Sequence, residues 1–242
     1  MRIGVIGCGV IASAAVQGIA GDGHRITVSE RSARQASMLA ARYDEVTMAG
    51  NQAVIDASDV IFLGLMAKDA PGILDRLDFR ADQRVISFMA GASLEDVEDM
   101  VRPARAAAVM IPFPGIAGGG SPVLVLGDVK LVEELFGARN SIYPLSDERE
   151  LAAYLCAQAV LSPVARMVGD AADWLSTRVE NGKTGEAFLR MLISTSLSES
   201  DTAGLIEALN TPGGYNQRLR THMEETGFGT ALKAGLDGLE QA

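Results

Sequence analysis

The chain has 242 residues, of which 48% are hydrophobic and 5% aromatic, and its formal net charge is −10. This length suffices for one large domain or two smaller ones with hydrophobic cores. The acidic balance excludes a nucleic-acid-binding protein, because negative charge repels phosphate backbones and anionic membranes. Cys8 and Cys156 are far apart in sequence, so we expect neither a disulfide framework nor a metal cluster.

We expect no secretory signal at the start of the chain. Strand residues begin at Ile3 with no basic stretch before them. No apolar run approaches the ~20 residues that a membrane span needs. We therefore expect a soluble, cytoplasmic protein.

The first nineteen residues contain an apolar strand, a glycine turn and a helix. The strand covers residues 3–6, and it breaks at Gly7-Cys-Gly9 into a helix of small and apolar residues. Gly7 allows the turn, Gly9 lets the backbone approach phosphates, and Ala12 is small enough for close packing of helix on strand. This arrangement predicts a dinucleotide pyrophosphate on the helix N-terminus. The expected contacts are Gly7, Gly9, Val10, Ile11 and Ala12.

A second strand, residues 25–28, runs into four polar residues where the adenosine ribose of a dinucleotide is expected. An acidic side chain at this place binds the ribose 2′-OH, whereas an arginine binds a 2′-phosphate. Glu30 fits the first role and Arg31, with two serines, the second. The serines favour NADP, with NAD as the other possibility. The expected contacts are Ser29, Glu30, Arg31 and Ser32.

Strands and helices then alternate, which predicts a Rossmann-type, doubly wound, mostly parallel sheet over residues 1–146. Residues 59–66 are a continuous apolar run typical of a strand buried on both faces. The loop that follows, from Leu65 through Met66 and Ala67 to Lys68-Asp69, should pass over the cofactor, and its two charged residues are either solvated or functional. The Pro- and Gly-rich residues 112–120 predict an irregular loop, either a connector or a substrate-facing segment.

Residues 147–242 show no strand pattern and predict a smaller all-helical domain. Residues 151–161 are apolar nearly all round, and Pro163 should kink or break that helix. One-sided apolar helices make a thin bundle, so we expect a homodimer formed through this domain. The turn at Pro212-Gly-Gly214 opens a helix with Tyr215 and Asn216, whose backbone N–H groups could hold a carboxylate.

Nearly end to end, the chain resembles the pyrroline-5-carboxylate reductase family. The resemblance rests on the fingerprint from Gly7 to Ala12, on Asn51, on Ile86-Ser87 with Ala90-Gly91, and on Thr211-Pro-Gly-Gly214 with Gly227-Phe228. It implies a nucleotide domain, a helical dimerisation domain, and hydride transfer from NADPH to a cyclic imine held against a neighbouring chain. Asn51, Leu65, Met66, Ala67, Ala90 and Gly91 would then line the cofactor.

The chain departs from that family where the family holds the carboxylate of its substrate. The family's Lys-Pro is Met66-Ala67 here, and its Pro-Gly-Gly-Thr-Thr is Pro212-Gly-Gly-Tyr215-Asn216. Its Met-Pro-Asn-Thr-Pro and Ser-Gly-Ser-Gly-Pro segments correspond to residues 111–114 and 159–163. Tyr215 and Asn216 are the candidate catalytic residues. The candidate substrate contacts are Pro112, Ser162, Gly213 and Gly214.

The sequence thus predicts an NAD(P)H-dependent reductase of a small cyclic imine such as pyrroline-5-carboxylate, in proline biosynthesis. Hydride transfer needs alignment and a dry pocket more than acid–base residues. His24 and His222 are read as structural or solvated, and no metal site is expected. The alternatives are an NADP oxidoreductase that acts on a ketone/alcohol pair or a deazaflavin, and a catalytically silent NADP(H) sensor.

Overall fold

The computed structural model describes residues 1–240, which form two compact units. The first unit is Met1–Leu151, and the second begins at Ala152. The sequence placed the division after residue 146. The additional residues belong to the first unit because Leu151 is buried and the Leu94 backbone N–H donates to the carboxylate of Glu148 at 3.2 Å.

The first unit contains one eight-stranded sheet with the order β3-β2-β1-β4-β5-β6-β7-β8. Strands β1 to β6 run parallel, whereas β7 is antiparallel to β6 and β8 is parallel to β7. The strands are β1 Arg2–Ile6, β2 Arg25–Ser29, β3 Val46–Ala49, β4 Val60–Leu63, β5 Arg84–Ser87, β6 Arg105–Pro112, β7 Pro122–Gly127 and β8 Ser141–Pro144. The predicted doubly wound, mostly parallel sheet is confirmed.

Helices cover both faces of this sheet. They are α1 Val10–Ile19, α2 Ala33–Arg42, α3 Asn51–Asp56, α4 Ala70–Leu74, α5 Leu94–Val101 and α6 Val129–Phe136. Helices α1, α2 and α6 pack on one face, and α3, α4 and α5 pack on the other. Strand β4 contributes Val60 and Phe62 to the first core and Ile61 and Leu63 to the second, so its apolar run is buried on both faces as predicted.

The order of the sheet reverses at β1, which lies between β2 and β4. The chain turns back at this point, so the connections after β1 and β4 leave on opposite faces and open a crevice at the carboxyl ends of the strands. The glycine turn directly after β1 lies in this crevice.

Part of the irregular segment 112–120 is ordered as a 3-10 turn over Pro114–Ala117. Ile116 is fully buried in the core that contains α1. The Pro and Gly content hid this structure, because the turn depends on the burial of one side chain, Ile116, which local sequence does not reveal.

The second unit consists of helices. Helix α7 Glu148–Ala157 leads into it, followed by a 3-10 turn over Gln158–Val160 and by α8 Leu161–Ser176, α9 Gly182–Glu199, α10 Thr202–Ala208, α11 Tyr215–Glu225 and α12 Phe228–Glu240. The 3-10 turn precedes Pro163, whose ring prevents an α-helical bond to the carbonyl four residues earlier. Helix α10 was not predicted, although the Asp201 side chain caps it by accepting from the Gly204 N–H at 2.8 Å.

Residues Glu148–Ser176 form a helical stretch that contains an 18-residue window with a mean hydropathy of 1.4, so it is long and apolar enough to cross a membrane by length and composition alone. The sequence analysis missed this stretch because it counted uninterrupted apolar runs, and Arg166 ends the run that begins at Leu151. Only 6% of its most apolar window is buried. Such a helix is weak evidence for a membrane span and equally suits contact with another protein.

Candidate dinucleotide-binding site

A groove of about 450 Å³ lies at the carboxyl ends of β1, β4 and β5. Its walls come from the glycine turn, the loop after β2, and the loops after β4 and β5. The lining residues are Gly7, Gly9, Val10, Ile11, Ala12, Arg31, Ser32, Gly64, Leu65, Met66, Ala67, Asp69, Phe88 and Ala90. Eleven of the residues expected to contact the cofactor therefore share one groove.

Close contact between Gly7 and Gly64 fixes the glycine turn. Gly7 has φ +86°, a conformation that favours glycine. A Cβ added to Gly64 would lie 2.3 Å from the Gly7 carbonyl oxygen and 2.6 Å from the Ala12 Cβ. Sequence analysis assigned close packing to Ala12 and did not identify Gly64 as its neighbour in space.

The N-terminus of α1 is free to accept an anion. Its N-cap is Gly9, no side chain caps its N–H groups, and its first turn contains no acidic residue. At α5, by contrast, Ser93 and Asp96 form a capping box and Glu148 accepts from the Leu94 N–H. Protein carboxylates thus already occupy the α5 N-terminus, whereas the first residues of α1 line the groove and have no side-chain cap, as a pyrophosphate site requires.

Ser29 supports the turn from within the core. It is fully buried, and its hydroxyl accepts a hydrogen bond from the Gly7 backbone N–H at 2.9 Å. We therefore correct its predicted role: Ser29 shapes the turn that receives the pyrophosphate, because its hydroxyl is enclosed rather than exposed to a 2′-phosphate.

The loop after β2 brings one cation, Arg31, into the groove. Arg31 and Ser32 line it, and Glu30 is exposed outside the lining. Ser32 has φ +68° and turns the chain into α2. An Arg with an adjacent hydroxyl suits a 2′-phosphate. The Arg31 guanidinium also lies 4.0 Å from the carboxylate of Asp69, which the sequence analysis left open as solvated or functional.

The opposite end, where a nicotinamide ring is expected, is apolar. Its lining residues are Leu65, Met66 and Ala67 from the loop after β4, and Phe88 and Ala90 from the loop after β5. Phe88 packs on the buried Phe62 ring with a centroid separation of 5.1 Å. The sequence analysis passed over Phe88, although its place directly after a buried strand is a usable signal. Asn51, at the start of α3, and Gly91 lie outside the lining.

Cys8 lies inside the glycine turn and is fully buried. Burial raises the pKa of its thiol, and a contact of 3.5 Å with the Ser13 hydroxyl only partly opposes this effect. The thiol thus stays protonated and adds no negative charge beside the anion site.

The predicted substrate residues occupy different settings. Pro112 is buried at the end of β6, and Ser162 is exposed in the first turn of α8. In the second unit, the Gly213 N–H donates to the Gln217 side chain at 2.7 Å, and Gly214 is the N-cap of α11. Tyr215 is 91% exposed, and Asn216 follows it on the same exposed turn. The catalytic and substrate-binding roles of these residues stay predictions.

The two histidines also differ. The Nδ1 of His24 lies 3.2 Å from the Met1 ammonium, and burial followed by this positive charge lowers the pKa of His24. His222 is exposed on α11. Across residues 1–240, no three His, Cys, Asp or Glu side chains cluster as a metal site would require.

Comparison with known proteins agrees with this geometry. Residues 2–91 match the family model described as NADP oxidoreductase, coenzyme F420-dependent. These residues end directly after the last groove residue, so the match covers the whole groove.

Solved structures match the fold of both units. Pyrroline-5-carboxylate reductase from Streptococcus pyogenes matches with a TM-score of 0.83 at 21% identity, covering 100% of this chain and 99% of that one. The Plasmodium falciparum enzyme, solved with NADP bound, gives 0.82 at 15% identity, covering 100% and 96%. A reductive aminase from Aspergillus terreus, solved with NADPH and ethyl levulinate, gives 0.62 at 18% identity, covering 88% and 78%.

The match over residues 2–91 confirms the predicted NADP cofactor and oxidoreductase class. The chain as a whole has the pyrroline-5-carboxylate reductase-like fold.

Proposed function

We propose that the protein is an NADPH-dependent reductase that transfers a hydride to a small cyclic imine, such as pyrroline-5-carboxylate or a related compound. The observation that carries this proposal is the groove itself, which combines an uncapped helix N-terminus, Arg31 beside Ser32, and a set of apolar side chains. The fold shared with pyrroline-5-carboxylate reductases supports the substrate class. With pyrroline-5-carboxylate as substrate the product is proline, which would place the protein in proline biosynthesis.

The residues of the groove suit this chemistry. A nicotinamide cofactor supplies the hydride, so the protein has to bind, align and exclude water. The α1 N–H groups would hold the pyrophosphate and Arg31 with Ser32 the 2′-phosphate. Leu65, Met66 and Phe88 would keep water from the nicotinamide end, which favours hydride transfer to the carbon of an imine protonated on its nitrogen.

Turnover of pyrroline-5-carboxylate tests the proposal. Purified protein with NADPH and this imine should lose the nicotinamide absorbance in proportion to proline formed. The matched control is the Arg31→Ala variant, which should require more NADPH for the same rate. Intact NADPH binding without turnover would refute this substrate. 1-Pyrroline and its 2-methyl derivative, which lack the carboxylate, should then be assayed, because Met66-Ala67 replaces the family's Lys-Pro.

A second candidate function is hydride exchange between NADP and a deazaflavin. The family model that matches residues 2–91 carries this activity in its description. Mixing the protein with reduced coenzyme F420 and NADP separates the two: NADPH formation favours the second candidate, and its absence together with imine turnover favours the first.

We also propose that the second unit forms a homodimer. Several large apolar side chains of its helices are exposed, at 62% for Trp174, 58% for Phe188 and 70% for Met191. A second copy of the same chain would bury them. Light scattering should give twice the chain mass. Met191→Glu should shift the protein towards the monomer, whereas Glu199→Gln at the end of the same helix should not. A monomeric wild type would refute the dimer. The cytoplasmic location stays a prediction from the sequence.

A further inference from the structure

We propose that Asp69 is a specificity-determining residue, which pairs with Arg31 across the groove and thereby lowers the preference for NADPH over NADH. This inference rests on the proposed NADP(H) groove. Asp69 is not needed to bind the cofactor, and the glycine fingerprint from Gly7 to Ala12 does not predict a role for it.

Arg31 and Asp69 follow strands on opposite sides of β1. Arg31 follows β2 and Asp69 follows β4, and these strands flank β1 on its two sides. Both residues line the groove. The ion pair of 4.0 Å between them therefore crosses the carboxyl end of β1, where the glycine turn lies.

Backbone hydrogen bonds fix the turn that contains Asp69. Asp69 is the N-cap of α4, yet its side chain caps no helix N–H. The backbone N–H groups of Asp69 and Ala70 both donate to the Met66 carbonyl, at 2.9 and 3.1 Å, which fixes the turn. The carboxylate is thus directed to Arg31 rather than to its own helix.

The Asp69 carboxylate and the 2′-phosphate of NADPH would compete for Arg31. Both side chains are about half exposed, at 56% for Arg31 and 44% for Asp69, so their pair is weak and readily exchanged. A 2′-phosphate offers more charge and more acceptor oxygens than the carboxylate, so Arg31 would leave Asp69 for it. NADPH must then break the pair and tolerate an unpaired carboxylate nearby. NADH has no 2′-phosphate and leaves the pair intact.

The test is the dissociation constant of NADPH and of NADH, measured by isothermal titration calorimetry. Asp69→Asn should tighten NADPH binding about two- to fivefold, the range of one exposed ion pair, and leave NADH within twofold. Asp75→Asn is the matched control, since it removes the same charge from the other end of α4, outside the groove lining. It should change neither constant.

A double-mutant cycle with Arg31→Ala separates the pair from general repulsion. In the Arg31→Ala background, Asp69→Asn should tighten NADPH less than it does in the wild type. The inference is overturned if Asp69→Asn weakens NADPH, shifts both nucleotides equally, or has the same effect as Asp75→Asn. If the wild type still binds NADPH in any of those cases, only the inference about Asp69 fails and the proposed function is unaffected. A wild type that binds neither nucleotide would overturn both.

Discussion

Gly64→Ala tests the packing that forms the glycine turn. The new methyl group would lie 2.3 Å from the Gly7 carbonyl oxygen and 2.6 Å from the Ala12 Cβ, both closer than carbon and oxygen atoms can approach. Relief by movement of Gly64 is restricted, because its N–H donates to the Ile6 carbonyl at 2.8 Å. Overpacking of this kind costs about 1–3 kcal/mol, and we expect the upper end, about 3 kcal/mol, because one opposing atom belongs to the backbone.

Chemical denaturation followed by circular dichroism measures this loss, and an NADPH titration of the folded variant measures the effect on the groove. Displacement of Gly7 and Ala12 should weaken NADPH binding at least tenfold. Gly72→Ala is the matched control: it makes the same change in α4, where a Cβ meets no atom within 4 Å. There the substitution should stabilise the protein by about 0.4–1 kcal/mol.

Equal stability of Gly64→Ala and wild type, with unchanged NADPH binding, would refute the reasoning. That result would mean that the turn and β4 separate easily, and that position 64 does not need a residue without a side chain.

Three further predictions concern single side chains. Arg31→Ala should weaken NADPH about tenfold and NADH less than threefold, since loss of a charge-assisted contact costs about 1.5–3 kcal/mol and exposure reduces it; equal losses in calorimetry would remove Arg31 from the 2′-phosphate. Native protein treated with iodoacetamide should be modified at the half-buried Cys156 before the buried Cys8, as mass spectrometry would show, because burial raises the pKa of Cys8. His24 has a lowered pKa when folded, so the unfolded chain binds more protons and stability should fall as pH drops below the usual value of 6.5. His24→Gln should remove that part of the pH dependence of the urea midpoint; an unchanged slope would contradict it.

The fold and the first half of the groove follow from local sequence. Gly7, Gly9 and Ala12 lie within one strand–turn–helix, so their spacing alone indicates their place. The apolar run of β4 predicts burial on both faces for the same local reason.

The remaining groove residues depend on which strands are neighbours. Gly64 is identified only by its contact with Gly7, and Asp69 only by its pair with Arg31, and both contacts require β4 beside β1. Ser29 shows the converse, since its position predicts an exposed phosphate contact and the fold turns its hydroxyl inward to the Gly7 N–H.

In the second unit, the one-sided apolar pattern predicts helices but not what covers them. Trp174 and Met191 fit the helical pattern and are exposed in the single chain. Sequence periodicity indicates that one face of a helix is apolar, but it does not indicate which surface covers that face.

A crystal structure of the complex with NADPH tests the central claim most directly. The account predicts density for the pyrophosphate within hydrogen-bond distance of the backbone N–H groups at Val10 and Ile11. It also predicts the 2′-phosphate on Arg31 and the nicotinamide ring between Met66 and Phe88. A cofactor bound elsewhere, or a 2′-phosphate directed to solvent away from Arg31, would contradict it.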